Sequence, residues 1–216
     1  MSVSAKICGI STLSAARTAI AEGAAFLGFI HFARSPRHIE LTALADLMRS
    51  IRAEGATQKL VSVVVDPNDA VLEALRDSVK PDLIQLHGKE TPERVAQVRA
   101  FMGIPVIKAL SISDAADLTA AQAFDGVADY LMFDAKPPKD ALLPGGLGIS
   151  FDWTLLKGYA GKKPWFLAGG LTPGNVAEAV TISGAQYVDV SSGVESAPGV
   201  KDPNLISGFL RTVKAL

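Results

Sequence analysis

Short apolar runs alternate along the chain with longer amphipathic segments. The short runs are apolar nearly throughout and rich in β-branched residues, as expected of parallel strands buried on both faces. They cover residues 3–7, 26–30, 60–65, 83–86, 106–109, 130–133, 165–168 and 187–190. We therefore predict eight buried strands.

The longer segments have the spacing of helices with one apolar side. One stripe of residues 41–54 is formed by Leu41, Leu44, Leu47, Met48 and Ile51. Residues 11–23 open with Ser and Thr and close with glycine. The remaining segments are residues 69–79, 92–102, 114–124, 173–183 and 204–214, with a shorter candidate at 151–159. The chain thus predicts eight helices.

Strict alternation of strands and helices requires a crossover after every strand, so the predicted sheet is parallel. The 216 residues match the size of a small (β/α)8 barrel. We predict one α/β domain over residues 1–216, a TIM barrel of eight parallel strands and eight outer helices. An open doubly wound sheet is the alternative, because local patterning does not reveal closure.

Composition narrows the classes of function. The 21 basic and 22 acidic side chains give a net charge of -1, which argues against a nucleic-acid or polybasic membrane surface. No apolar run is long enough to span a membrane, and no secretory signal is evident. The single cysteine excludes an internal disulfide and fits a reducing compartment. We expect a cytoplasmic protein without nucleic-acid or membrane partners, either a monomer or a homodimer.

Polar residues follow the ends of the predicted strands. In a parallel barrel these ends face one rim, where barrel enzymes carry their catalytic groups. The residues are Cys8, Asp66, Gln85, His87, Lys108, Asp134, Gly169, Gly170, Asp189, Ser191 and Ser192. Titratable groups from distant segments are therefore expected to converge there.

Two glycine-rich or serine-rich loops follow the last two strands. Residues 168–175 read AGGLTPGN, and residues 189–193 read DVSSG. Glycines let backbone N–H groups approach an anion, and the start of a helix adds favourable partial charge. Barrels often bind phosphate with these final loops, so the pair predicts a phosphate site, although a glycine pair alone would only permit a tight turn.

Two residues are candidates for acid–base chemistry. Cys8 is either a buried apolar filler or a base, and the second role needs a thiolate with a lowered pKa. Asp134 is either a helix cap, a partner of Lys136, or an acid whose pKa is raised in an apolar rim. The residue types alone leave these alternatives open.

The remaining polar features are less specific. Residues 34–38 form a basic loop, either a solvated turn or an arginine fork for a planar carboxylate. His87 is an acid–base or a structural candidate, and His31 and His38 are predicted to be structural. No motif has metal-ligand spacing, and residues 145–148 lack the context of a dinucleotide fingerprint. We therefore predict neither a metal nor a cofactor.

Motifs along essentially the whole chain resemble those of the phosphoribosylanthranilate isomerase family. They read KICGI (6–10), SPRHI (35–39), IQLHG (84–88), LMFDAKPP (131–138), GISFDW (148–153), LAGGLTPGNV (167–176) and VDVSSGVESAPGVKD (188–202). The resemblance implies a (β/α)8 barrel that converts N-(5-phosphoribosyl)anthranilate to 1-(2-carboxyphenylamino)-1-deoxyribulose 5-phosphate. That reaction of tryptophan biosynthesis is an Amadori rearrangement without a cofactor.

The resemblance also implies roles for individual residues. Cys8 corresponds to the general base, Asp134 to the general acid, and Arg37 to the arginine that holds the anthranilate carboxylate. Residues implied to bind the rest of the substrate are Gln85, His87 and Asp189. Residues implied to surround the phosphate are Gly169, Gly170, Ser191, Ser192 and Gly193.

The chain departs from the family pattern in two loops. Arg34 and Ala33 replace a lysine and a proline of the FYPKSPR-like run, which keeps the charge and changes the stiffness of the loop. Before FDW, a G-T/S-G-K/R pattern becomes GLGI at residues 146–149. This second change removes a hydroxyl and a cation from the expected site.

Other functions remain as alternatives. A pentose-phosphate epimerase would need metal-binding histidines and acids. An indole-glycerol-phosphate synthase would need an N-terminal extension and an active-site pair of lysine and glutamate. We find neither pattern in the sequence. A catalytically silent phosphate-ligand binder would retain the phosphate loops and lose Cys8 or Asp134. Both are present, which favours the isomerase.

Overall fold

The computed structural model describes residues 2–136, 143, 145–157, 159 and 161–216. Eight parallel strands close into a barrel in chain order. They are β1 (Ser4–Cys8), β2 (Phe26–Ile30), β3 (Lys59–Val64), β4 (Leu83–Leu86), β5 (Val106–Ile112), β6 (Tyr130–Ala135), β7 (Trp165–Leu167) and β8 (Tyr187–Val190). The predicted (β/α)8 class is confirmed.

Pairing between the first and last strands closes the barrel. Lys6 of β1 pairs with Asp189 of β8 and, on its other side, with Phe26 of β2. A strand paired on both edges has no free backbone groups, so the open-sheet alternative is excluded.

Seven α-helices surround the strands in the described part of the chain. They are α1 (Leu13–Ala21), α2 (Leu41–Ala53), α3 (Asp69–Ala74), α4 (Pro92–Met102), α5 (Ala115–Ala121), α6 (Val176–Ser183) and α7 (Pro203–Lys214). Capping side chains fix several of these starts: Thr12, Asn68, Thr91, Asp114 and Asp202 each accept a first-turn N–H. None of these helices is long and apolar enough to cross a bilayer.

The eighth predicted helix, at residues 151–159, is wrong as an α-helix. The structure has a four-residue 3-10 turn there, Trp153–Leu156. Asp152 caps the turn by accepting from Thr154 N, but Lys157 already has an extended ψ of 111°, so the helix cannot continue. The predicted loop at 137–148 lies partly outside the described residues; 143 and 145–148 are irregular and reach the rim.

The strand pleat explains why polar groups gather at one end of the barrel. Along β6, alternate residues point inward in the order Tyr130, Met132 and Asp134, so the interior changes from aromatic to polar. The lower interior is an aromatic cluster of edge-on and tilted rings, contributed by Phe26, Tyr130, Phe166 and Tyr187. The polar rim lies directly above this aromatic cluster.

A small hairpin, which the sequence pattern did not predict, lies between β8 and α7. Strands β9 (Glu195–Ala197) and β10 (Val200–Lys201) pair antiparallel. Gly199 turns the chain with a φ of +84°, and its N–H donates to Glu195 Oε2 at 3.1 Å. The hairpin thereby brings Glu195 and Lys201 back to the rim.

Candidate active site

A cavity opens at the carboxyl ends of the strands. Its wall contains every predicted site residue except Gln85 and Gly193. The predicted residues that line it are Cys8, Arg37, His87, Asp134, Gly169, Gly170, Asp189, Ser191 and Ser192. Apolar side chains complete the wall, among them Ile30, Phe32, Leu143, Leu147 and Ile149.

The two acid–base candidates enter this cavity from well-separated strands. Cys8 is the last residue of β1 and is 5% exposed, and Asp134 is the penultimate residue of β6 and is 6% exposed. Strands β7 and β8 lie between them on the shorter way around the barrel. A substrate in the cavity is therefore flanked by a thiol and a carboxyl group.

A buried lysine lies beneath Cys8. Lys6 points inward one pleat below Cys8, is fully buried, and donates to Asp189 Oδ1 at 2.8 Å. Burial lowers the pKa of Lys6, but the charges of Asp189 and Cys8 outweigh burial and raise that pKa overall. Lys6 therefore stays protonated and supplies a fixed positive charge at the barrel axis.

Burial disfavours the thiolate form of Cys8 that a role as a base requires. Burial raises the pKa of the Cys8 thiol above its ordinary value, against the opposing effects of Lys6 and Lys201. The low-dielectric surroundings disfavour a thiolate more than these cations favour it. Cys8 is thus mainly a neutral thiol at neutral pH.

Direct titration of the thiol is expected to show this shift. Because Cys8 is the only cysteine in the sequence, alkylation by iodoacetamide reports on one group. In the native protein, the rate should reach half its maximum above pH about 8.5, the ordinary cysteine value, whereas the denatured chain should titrate there. Half-ionisation of the native thiol near or below pH about 7 would contradict the burial argument.

Asp134 is held by its own backbone and by His87. Its Oδ1 accepts from Ala135 N at 2.8 Å, and its Oδ2 lies 3.3 Å from His87 Nε2. The Gln85 amide nitrogen donates to His87 Nδ1 at 3.0 Å, which leaves the imidazole proton on Nε2, facing Asp134. The three side chains form a chain of contacts that ends at the candidate acid.

This arrangement places Gln85 differently from the binding residue that the motif implies. Gln85 is fully buried, does not line the cavity, and contacts Met132 Sδ as well as His87. It points to the barrel axis one pleat below His87, where its amide contacts the imidazole. His87 itself lines the cavity, as expected.

Arg37 crosses the end of β1 towards the cavity. Gly9 permits the crossing, because its φ is +76° and a Cβ there would lie 2.6 Å from Arg37 Cδ. Arg37 is 4% exposed, and its Nε and Nη2 donate to the two carboxylate oxygens of Glu195 at 2.7 and 2.8 Å. Glu195 thus already occupies one edge of the predicted arginine fork, while Nη1 has no hydrogen-bond partner within the described part of the chain.

The carboxylate of Glu195 joins Arg37 to Lys201. Lys201 Nζ donates to Glu195 Oε1 at 2.7 Å and to the backbone oxygen of Ser191 at 2.9 Å. Burial raises the pKa of Glu195, but Arg37 and Lys201 outweigh burial and lower it overall; burial lowers the pKa of Lys201 despite Glu195. The network carries a net positive charge beside the serine loop. Sequence reasoning did not select either residue, although both lie in the VESAPGVKD motif.

The predicted phosphate loops lie side by side at the rim. Gly169 and Gly170 have φ values of +84° and +63°, conformations that favour glycine, and both line the cavity. Ser191 and Ser192 line it from the start of the 3-10 turn Ser192–Val194. Gly193 lies behind this wall, where an added Cβ would collide with the carbonyl oxygen of Leu171.

Two other polar residues that were predicted at strand ends, Lys108 and Asp66, do not line the cavity. Lys108 is buried and donates to Glu90 Oε2 at 2.7 Å and to the backbone oxygen of Gly88 at 2.8 Å. Asp66 accepts from Lys89 N at 2.7 Å, and its own N–H donates to Glu90 Oε1. The expectation that these two residues join the functional rim is wrong, because they brace the loops after β3 and β4.

A closed parallel barrel with a thiol, a carboxyl group, an imidazole and a guanidinium at one mouth has the layout of an acid–base barrel enzyme. Comparisons with known proteins identify the family. The profile of the N-(5'-phosphoribosyl)anthranilate isomerase family matches residues 5–212. The chain therefore belongs to the N-(5'-phosphoribosyl)anthranilate isomerase family.

Individual relatives agree with this assignment. The chain is 56% identical over 212 residues to an N-(5'-phosphoribosyl)anthranilate isomerase of Caulobacter sp. (strain K31), covering 98% of this chain and 99% of that protein. It is 54% identical to the isomerase of Paramagnetospirillum magneticum, covering 99% and 98%. The crystal structure of the Thermotoga maritima isomerase matches with a TM-score of 0.88 at 31% identity, covering 99% and 100%.

Proposed function

We infer that this chain converts N-(5'-phosphoribosyl)anthranilate to 1-(2-carboxyphenylamino)-1-deoxyribulose 5-phosphate, a step of tryptophan biosynthesis. Family membership across the whole barrel supports this activity. A related structure, with a TM-score of 0.85 and 29% identity, contains the reduced form of that product. The observation that carries the residue assignments is that Cys8 and Asp134 line one cavity with Arg37 and the phosphate loops.

Asp134 acts first, as the general acid. Its carboxyl group gives a proton to the furanose ring oxygen, and the bond from that oxygen to C1 breaks. The lone pair of the anilino nitrogen forms the C=N bond that replaces it, so the product is an open-chain iminium. The His87 N–H that faces Asp134 Oδ2 stabilises the carboxylate left by this transfer.

Cys8 acts second, as the general base. Its thiolate takes the proton from C2, the C–H electron pair forms the C1=C2 bond, and the C=N electrons return to nitrogen. The resulting enolamine loses its hydroxyl proton and gains a proton at C1, which gives the ketone. Lys6 and Lys201 are the two groups that favour the thiolate form of Cys8.

The remaining contacts hold the substrate between these two groups. We assign the phosphate to the backbone of Gly169 and Gly170 and to the hydroxyl groups of Ser191 and Ser192, all of which line the cavity. The backbone of Gly193, next in the serine loop, and the charge of Lys201 are assigned to the same site. We assign the anthranilate carboxylate to Arg37 Nη1. Asp189, which lines the cavity and accepts a hydrogen bond from Lys6, is assigned to the sugar. Fixing both ends of a flexible substrate supplies much of the rate enhancement.

Truncation of Arg37 is expected to weaken binding more than it slows chemistry. In Arg37→Ala, KM should rise about 10- to 100-fold, because a charge-assisted hydrogen bond contributes roughly 1.5–3 kcal/mol. The value of kcat should change much less, since Arg37 touches neither transferred proton. Steady-state kinetics would check this, and an unchanged KM would reject the carboxylate contact.

Glu195→Gln is the companion to this variant. It keeps the shape of the side chain but removes the charge that holds Nε and Nη2 of Arg37. A smaller rise in KM than in Arg37→Ala, with kcat maintained, is the expected result. A fall in kcat at constant KM would instead place Glu195 in the chemical step.

A fluorescence assay tests the activity itself. Anthranilate, a phosphoribosyl donor and the preceding transferase generate the substrate, whose emission should fall when the purified protein is added. The double variant with Cys8→Ala and Asp134→Asn is the matched control and should leave the emission unchanged. An equal fall with both proteins, or with neither, would refute the proposed reaction.

We also propose that the protein acts in the cytoplasm as a monomer or a homodimer. A base that depends on a free thiol requires a reducing compartment. One of the related structures, 30% identical with a TM-score of 0.84, is described as monomers of a dimeric isomerase. The proposed partner is the small phosphosugar–anthranilate substrate, with no nucleic acid and no membrane.

A further inference from the structure

Two of the three histidines lie outside the candidate active site, in the loop between β2 and α2. His31 directly follows β2, and His38 lies just before α2. The loop folds back on β2, with Ile39 N donating to the backbone oxygen of Ile30 at 2.8 Å. This return brings the two rings to a centroid separation of 4.9 Å. The isomerisation uses neither histidine.

Glu40 joins the histidines to form a cluster of possible metal ligands. One nitrogen of each ring and one carboxylate oxygen of Glu40 all lie within 4.8 Å of one another. Ligand atoms bound tetrahedrally to Zn²⁺ at about 2.0–2.1 Å are separated by about 3.3 Å. The side chain of Glu40 is 79% exposed, so it has room to move with an ion bound between it and the two rings.

The hydrogen bonding of His31 prepares it as a ligand. Its Nδ1 lies 2.9 Å from the backbone oxygen of Ile39, and because a carbonyl can only accept, Nδ1 carries the proton. The lone pair is therefore on Nε2. Histidines that bind metals commonly donate their other ring N–H to a backbone carbonyl in this way.

The hydrogen bonding of His38 is incomplete. Its Nε2 donates to Glu40 Oε1 at 3.0 Å, while its Nδ1 is buried and has no hydrogen-bond partner among the described residues. Because a carboxylate can only accept, Nε2 carries the proton, and it becomes a ligand when the ion displaces that proton.

We propose that His31, His38 and Glu40 bind a divalent transition-metal ion of the Zn²⁺ type. Two imidazoles and one carboxylate suit such an ion better than Mg²⁺ or Ca²⁺, which prefer oxygen ligands. A fourth position stays open to water. Arg37 lies between His31 and His38 in the sequence, so an ion bound by these residues would join the two ends of the loop that carries Arg37. The proposed ligands do not include Cys8 or Asp134.

Calorimetric titration of the full-length protein with Zn²⁺ alone tests the site. Wild type should bind one ion per chain. His31→Gln and His38→Gln should each weaken that binding on the order of 100-fold. Loss of only the hydrogen-bonding partner of a ligand typically weakens metal binding about 10- to 100-fold, and loss of the ligand itself should cost at least as much. Circular dichroism would confirm that each variant folds, and either variant alone suffices for the test.

Cys8→Ser and His87→Gln are the matched controls, because the cavity thiol and imidazole can also bind Zn²⁺. Both should retain the wild-type affinity, and Co²⁺ bound to wild type should lack a thiolate charge-transfer band. The proposal is overturned if wild type binds Zn²⁺ only in the millimolar range. It is also overturned if Cys8→Ser abolishes binding while His31→Gln and His38→Gln preserve it.

Discussion

Replacing Cys8 with alanine should lower kcat about 10²- to 10⁴-fold, the usual contribution of one proton-transfer group. KM should change by no more than a few fold, because the assigned substrate contacts at Arg37 and the phosphate loops are untouched. The loss belongs to the step in which the C2 proton is removed, because Cys8 is the assigned base and Asp189, the carboxylate on the same side of the cavity, is held by Lys6.

Cys8→Ser is the informative control for this experiment. Serine keeps the approximate shape and hydrogen bonding of the side chain but ionises far less readily than a thiol. Both variants should therefore be similarly slow, while their melting temperatures stay close to that of wild type. Turnover of either variant near the wild-type rate would show that Cys8 is the buried apolar filler and not the base.

Asp134→Asn should produce a loss of similar size at the ring-opening step. The amide keeps the volume of the side chain but cannot deliver the proton to the furanose oxygen, so kcat should fall about 10²- to 10⁴-fold. KM should change little. Kinetics with the substrate generated in place would measure both quantities.

His87→Gln separates the acid from its neighbour. It removes the contact at 3.3 Å to Asp134 Oδ2 and leaves the carboxyl group in place, so its effect on kcat should be smaller than that of Asp134→Asn. If Asp134→Asn kept most of its turnover while His87→Gln lost it, the imidazole would be the acid and the assignment of Asp134 would be wrong.

The fold was largely predictable because its main signal is local. Runs such as 26–30 and 83–86 are apolar on both faces, and the structure places strands at those bounds. The helix at 151–159 was wrong because apolar spacing does not show that Lys157 leaves the helical conformation. Closure itself depends on the pairing of β1 with β8, which joins residues more than 180 positions apart.

The site was predictable only where position along a strand determines direction. Cys8, His87 and Asp134 each continue the inward-facing register of a strand, so they reach the cavity. Asp66 follows β3, and Lys108 lies within β5, which extends to Ile112; Glu90 binds both and holds them in the loop network. The sequence pattern does not show whether a polar side chain faces the cavity or binds a buried partner.

Contacts between residues that are far apart in the sequence and are brought together by loops could not be predicted from local patterns. The bidentate contact of Glu195 with Arg37 spans 158 positions and depends on the β9–β10 hairpin. The approach of His31 to His38 depends on the fold of the loop between β2 and α2. Each needs three-dimensional proximity that neither composition nor periodicity specifies.

A crystal structure with the reduced product analogue bound would test the central claim most directly. The account predicts the Cys8 sulfur within about 4 Å of C2 and an Asp134 oxygen within hydrogen-bond distance of the ring-opening oxygen, on the opposite face of the sugar. It also predicts Arg37 Nη1 at the anthranilate carboxylate and the phosphate at the glycine and serine loops. A complex with both reacting groups on one face, or with either one remote from the sugar, would contradict it.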